Sequence, residues 1–102
     1  ALIDIFLTDT AEHLETLADL LPFGQVEGCV LPAHTVKSSA RLVGAEGLAA
    51  LAEMLEKRLR TKPDTPIEEF DRLRLRMVEV FGHTRRQLLA RTDRADGEST
   101  AA

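Results

Sequence analysis

The sequence predicts an all-α fold, an antiparallel up-down four-helix bundle, and three observations carry that expectation. Leu and Ala dominate and β-branched residues are sparse, which favours helix over sheet. Four segments repeat apolar residues in three- and four-residue steps, the spacing that gathers one face of a helix. Pro and Gly separate those segments by short connections, so consecutive helices pack as antiparallel neighbours. At 102 residues a single domain is expected, here residues 1–91, with a flexible polar tail over 92–102.

The first helix is expected from about Leu2 to Leu21. Ile3, Phe6, Thr10, Leu14, Leu17 and Leu21 share its inner face, and Pro22-Phe23-Gly24 ends it. The second runs to Val43, and its start has two readings. In a continuous helix the ring of Pro32 clashes with the Gly28 carbonyl, so the helix either begins near Pro32 or begins near Gln25 and kinks. The longer, distorted helix is the expectation adopted. Its inward positions are Ala33, Val36 or Lys37, Ala40 and Val43, and Gly44 suits the left-handed residue that stops a helix.

The third helix is expected over Ala45 to Arg60, with Leu48, Leu51, Ala52, Leu55 and Leu59 as its stripe and Thr61-Lys62-Pro63 as its stop. The fourth opens on Thr65-Pro66-Ile67-Glu68: a capping threonine, a proline at the first helical position and a glutamate three after the cap. Ile67, Phe70, Leu73 or Arg74, Met77, Val80, Phe81 and Leu88 carry its apolar face to about Ala90.

Charge narrows the function classes. A net charge of −4 argues against general nucleic-acid binding, which needs cations to neutralise phosphates. No apolar run approaches the roughly 18–20 residues of a membrane span, so no membrane partner is expected. No signal peptide is visible, and the start at Ala1 suggests a chain trimmed from something longer. The single Cys29 can make no internal disulfide and reads as a buried, inert thiol, which fits a reducing, cytoplasmic setting.

The chemistry gathers in residues 33–44, Ala-His-Thr-Val-Lys-Ser-Ser-Ala-Arg-Leu-Val-Gly. At about 100° per residue, Ser38 and Arg41 fall near the face of His34, Lys37 flanks it, and the inward stripe lies largely elsewhere. His34 is therefore expected to point outward. Ser38 and Ser39 are short and leave room for a partner's surface, while Lys37 and Arg41 place positive charge where an anion would sit. A neutral imidazole is a competent nucleophile. The group reads as an acceptor for a phosphoryl group with cations beside the product. Taken alone, each residue has a plainer reading: a histidine without a task, a solvated lysine, serines that ease helix packing.

This segment resembles the histidine-containing phosphotransfer (HPt) domain family, whose signature is roughly H-x-L-K-G-S-A with a Gly ten residues after the His. His34, Lys37, Ser39, Ala40 and Gly44 match; Val36 stands for the usual Leu and Ser38 for the usual Gly. The stretch Leu48 to Glu56 resembles the family's third helix, which ends in a Leu-Glu pair, and Ile5 to Thr10 resembles its first. The resemblance implies a phosphoryl carrier, not a kinase, that binds no nucleotide. It implies that His34 Nε2 exchanges the group with a receiver-domain aspartate. It further implies that Lys37 assists, that Ser38 and Ser39 line the approach, and that Gly44 turns the chain. No cofactor is expected on the domain itself; Mg²⁺ is expected on the receiver. A histidine kinase domain, in cis or in trans, is the expected upstream partner. The alternative is a bundle that docks receiver or kinase partners without phosphotransfer.

Other candidates are weaker. Arg41 is a partner-contact candidate that the signature does not demand. Leu31 lies on the His34 side of the helix and, with Phe6 or Leu7, offers an apolar docking patch; for Phe6 a core position is favoured. His13 and His83 have no comparable surroundings, and no local spacing makes a zinc site of the three histidines. Glu53 and Glu56 lack the Glu-x-x-His pattern of a bundle metal site and are expected to be solvated charges.

Overall fold

The computed structural model describes residues 2–101, with side chains described from Leu2 to Arg91. Helix α1 spans Leu2–Leu20, α2 Val30–Leu42, α3 Glu46–Thr61 and α4 Ile67–Ala101; no strand occurs among the described residues. Each helix packs on its chain neighbours and α4 closes back on α1, the ring order of an up-down bundle. The α2–α3 contact is the most extensive. No helix among the described residues is long and apolar enough to cross a membrane.

The core is built from the expected stripes. Phe6, Leu14, Leu17 and Leu21 meet Ala33, Val36 and Ala40, then Leu48, Leu51, Ala52, Leu55 and Leu59, and finally Phe70, Met77 and Leu88. Burying a large aliphatic or aromatic side chain contributes about 1.5–3 kcal/mol, so these few residues supply most of the driving force. Phe6 and Phe81 meet edge to face at 6.3 Å and tie α1 to α4. Phe6 is thus core, not docking surface, and Leu7 is half-buried against the same cluster.

The start of α2 corrects the expectation of a long, kinked helix from Gln25. A 3-10 turn over Glu27–Cys29 precedes it, held by the Cys29 N–H on the Val26 carbonyl at 3.1 Å, and the regular helix begins at Val30. Pro32 then falls in the first turn, where its missing N–H would have no helical partner in any case. Helix α1 comes close at Gly28: a Cβ there would lie 2.9 Å from Leu20 Cδ1, so a larger residue requires that leucine side chain to shift. Cys29 is fully buried beside this turn, and burial pushes its thiol up to about 11.

Two other boundaries differ from the sequence reading. The Thr65 hydroxyl donates back to the Lys62 carbonyl at 2.7 Å, tying the α3–α4 turn instead of making the expected capping box. The backbone of α4 runs to Ala101, past the expected end near Ala90, because no proline or capping glycine interrupts Arg91 to Asp96. The expected flexibility of 92–102 falls on residues whose side chains lie outside those described.

Gly44 stops α2 as expected. Its φ is +77°, the Gly44 N–H reaches the Arg41 carbonyl at 3.2 Å, and the Ala45 N–H reaches the Ala40 carbonyl at 2.8 Å. That bond pair is the Schellman ending. A Cβ at Gly44 would meet nothing within 4 Å, so substitution costs backbone strain alone. Gly44→Ala should therefore destabilise the domain by about 1 kcal/mol, lowering the thermal midpoint by about 4–8 °C, with Gly44→Asn intermediate. An unchanged calorimetric midpoint for Gly44→Ala would contradict the left-handed turn.

Candidate functional site

Helices α2 and α3 run antiparallel, and their polar seam forms a ladder. Arg41 on α2 pairs with Glu53 on α3 at 3.1 Å, and one turn on, Lys37 and His34 both reach Glu56. Glu56 occupies the flank of the stripe made by Ala52, Leu55 and Leu59, and only 6% of it is exposed. Its Oε1 accepts from Lys37 Nζ at 2.6 Å. Its Oε2 accepts from His34 Nδ1 at 2.8 Å and from Arg60 Nε and one terminal nitrogen at 3.1 and 2.9 Å.

This geometry sets the protonation of the cluster. Burial alone would push the Glu56 carboxyl up, but hydrogen bonds from Lys37, Arg60 and His34, with the Lys37 charge, outweigh it and hold the group at about 2. Glu56 is therefore a carboxylate at neutral pH and can only accept hydrogen bonds. The short contact then requires a proton on His34 Nδ1. In the neutral ring that leaves Nε2 as the unprotonated nitrogen carrying the lone pair. The His34 side chain is 47% exposed while its orienting carboxylate is buried. A nucleophilic nitrogen is thus presented by a ring whose other nitrogen is held from behind.

The predicted residues separate into groups. His34 and Lys37 are joined through Glu56. Leu31, 71% exposed, and Ser38 lie one turn before and after His34 on its solvent side. Ser39 is half-buried and turned from that face. Arg41 is exposed but engaged with Glu53, away from the His34 cluster. Gly44 serves only the helix end. His13 and His83 are not brought to the site, and His83 Nδ1 is paired with Arg86 at 2.9 Å. No group of three or more His, Cys, Asp or Glu among the described residues could hold a metal ion.

Three residues escaped the sequence reading. Glu56 is not the solvated charge expected of it; only Glu53 is. The signal was present, because Glu56 lies four residues after Ala52 and three before Leu59, within reach of the inward stripe. Arg60 follows it by one turn and had no signal beyond that spacing. Leu42, 80% exposed one turn after Ser38, extends the apolar rim begun by Leu31.

The buried carboxylate makes stability depend on acid. Its folded-state value lies below the ordinary 4.5, so its contribution is present above that pH and is lost as pH falls towards about 2. The contribution is on the order of 3 kcal/mol. Urea denaturation of the wild type should show stability falling through this window, and Glu56→Gln should flatten the slope. Equal slopes in the two proteins would contradict the assignment.

The family model of the Hpt domain matches residues 1–95. No curated protein and no solved structure matches the chain. The match covers the first three helices and most of the fourth, and includes both the His34 segment of α2 and Glu56 of α3. The chain belongs to the Hpt domain family.

Proposed function

We propose that this domain is a phosphorelay carrier in which His34 Nε2 accepts a phosphoryl group from a receiver-domain aspartate and returns it to one. The observation that carries this reading is the hydrogen bond from His34 Nδ1 to the buried Glu56 carboxylate, which leaves Nε2 as the free nucleophile on an exposed ring.

The Nε2 lone pair attacks phosphorus, the P–O bond of the aspartyl phosphate breaks, and the electron pair leaves with the carboxylate. The proton on Nδ1 stays in place, and Glu56 offsets the positive charge that develops on the ring. In the return direction the same Nδ1 proton makes the imidazole a good leaving group. Neither direction needs a general acid or base from the domain, so positioning and electrostatics do the work. The receiver is the expected source of Mg²⁺, and the domain itself binds no cofactor in this reading.

Lys37 contributes positive charge beside the phosphoryl group while its ammonium stays on Glu56. Leu31, Ser38 and Leu42 form the rim on which a receiver would dock, Arg41 lies at its edge, and Ser39 keeps the helix narrow beneath it. The upstream donor is a histidine kinase domain, in cis or in trans, acting directly or through a receiver, and the setting is cytoplasmic.

Incubation with a phosphorylated receiver should give acid-labile, base-stable label on the wild type and none on His34→Gln. Label on His34→Gln would contradict the assignment. Receiver binding by the wild type without any phosphoryl exchange would favour a docking role instead. Lys37→Ala should stay folded and transfer about tenfold more slowly, a loss of about 1.4 kcal/mol in transition-state stabilisation. An unchanged rate would remove Lys37 from the mechanism.

A further inference from the structure

Three cations lie along the α2–α3 seam that carries His34, and they differ in what they have left to offer an anion. Lys37 is the least available, since its side chain is 17% exposed and its ammonium lies 2.6 Å from Glu56 Oε1. Arg41 is seven residues along α2, about 10 Å down the axis, and is paired with Glu53. Arg60 is different. Its side chain is 56% exposed, and it reaches Glu56 Oε2 through Nε and one terminal nitrogen. A guanidinium carries five N–H groups, so three remain beyond those two bonds.

Placement favours the same residue. The antiparallel ladder sets Arg41 level with Glu53 and Lys37 level with Glu56. Arg60, one turn past Glu56 on α3, therefore lies beside the part of α2 that precedes His34. Side chains on a helix lean towards its N-terminus, so the His34 ring leans to the same end. Ring and guanidinium share a single acceptor, Oε2. Arg60 also lines, with Lys37, Glu53, Glu56, Lys57 and Thr61, an open depression of about 330 Å³ that includes the carboxylate holding the ring.

We propose that Arg60 is the cation that touches the phosphoryl group on His34, and that Lys37 acts chiefly by fixing Glu56. This rests on the carrier reading above and assigns a contact within it. While Nε stays on Glu56, the remaining N–H groups of Arg60 meet the phosphoryl oxygens as a planar fork, which an ammonium cannot match.

The test uses the whole chain and phosphoramidate as donor, so that no partner surface contributes. The Nε2 lone pair attacks phosphorus, the P–N bond of the donor breaks, and ammonia leaves with the electron pair. Arg60→Gln should take up the group about tenfold more slowly than wild type, with Arg60→Lys in between. The ³¹P shift of the phosphohistidine should move in Arg60→Gln and stay put in the neighbouring control Lys57→Gln. A wild-type rate in Arg60→Gln, or an unmoved ³¹P line with a slowed rate, overturns the contact. Uptake by wild type and not by His34→Gln keeps the carrier reading standing in either case. A wild-type chain that takes up nothing counts against both.

Discussion

The Glu56 carboxylate joins the two halves of the site. It is buried at the α2–α3 seam, where an unpaired charge would cost several kcal/mol, and it is retained because four donors from three side chains converge on its two oxygens. Removing one partner of such a buried pair typically costs about 3–5 kcal/mol, so the cluster constrains the register of α2 against α3 as firmly as an apolar contact would. The same bonds that satisfy the carboxylate fix the imidazole tautomer. Packing and chemistry therefore depend on one group.

The bundle matters to this arrangement mainly as a rigid frame. Val36 and Ala40 on α2 and Ala52 and Leu55 on α3 are fully buried in the core that these two helices share. The α2–α3 contact is the most extensive in the bundle, and across it Lys37 and His34 reach the same side chain. The 3-10 turn at Glu27–Cys29 and the Schellman ending at Gly44 bound α2 on either side, so His34 stands near the start of a short, well-defined helix. Pro32, two residues before His34, sits in its first turn without distorting it. The imidazole is thus displayed by a stiff element, as the proposed transfer by positioning requires.

The sequence was most legible where one periodicity decided the outcome. The stripes of α1 and α3 are buried as read, apart from the partly buried Ile3, because a three- and four-residue apolar repeat has a single way to pack. His34 pointed outward for the same geometric reason. Legibility failed where the answer depended on a neighbouring helix. Glu56 looked like a surface charge because two of its partners, Lys37 and His34, lie 19 and 22 residues away in sequence and meet it only across the seam. Thr65 looked like a cap but turned back to Lys62, a choice made by the tight α3–α4 connection. The start of α2 was ambiguous because Pro32 is compatible with any first turn, and the close approach of Leu20 to Gly28, invisible in sequence, accompanies the tighter one.

The central claim is that the ionised Glu56 holds the His34 proton on Nδ1. Long-range ¹H–¹⁵N correlation spectra of the ring nitrogens test it directly at a pH where the imidazole is neutral. The account predicts a protonated-type shift for Nδ1 and an unprotonated-type shift for Nε2 in the wild type, with the preference weakened in Glu56→Gln. A wild-type ring carrying its proton on Nε2 would contradict it, because the nitrogen facing solvent would then have no lone pair to offer.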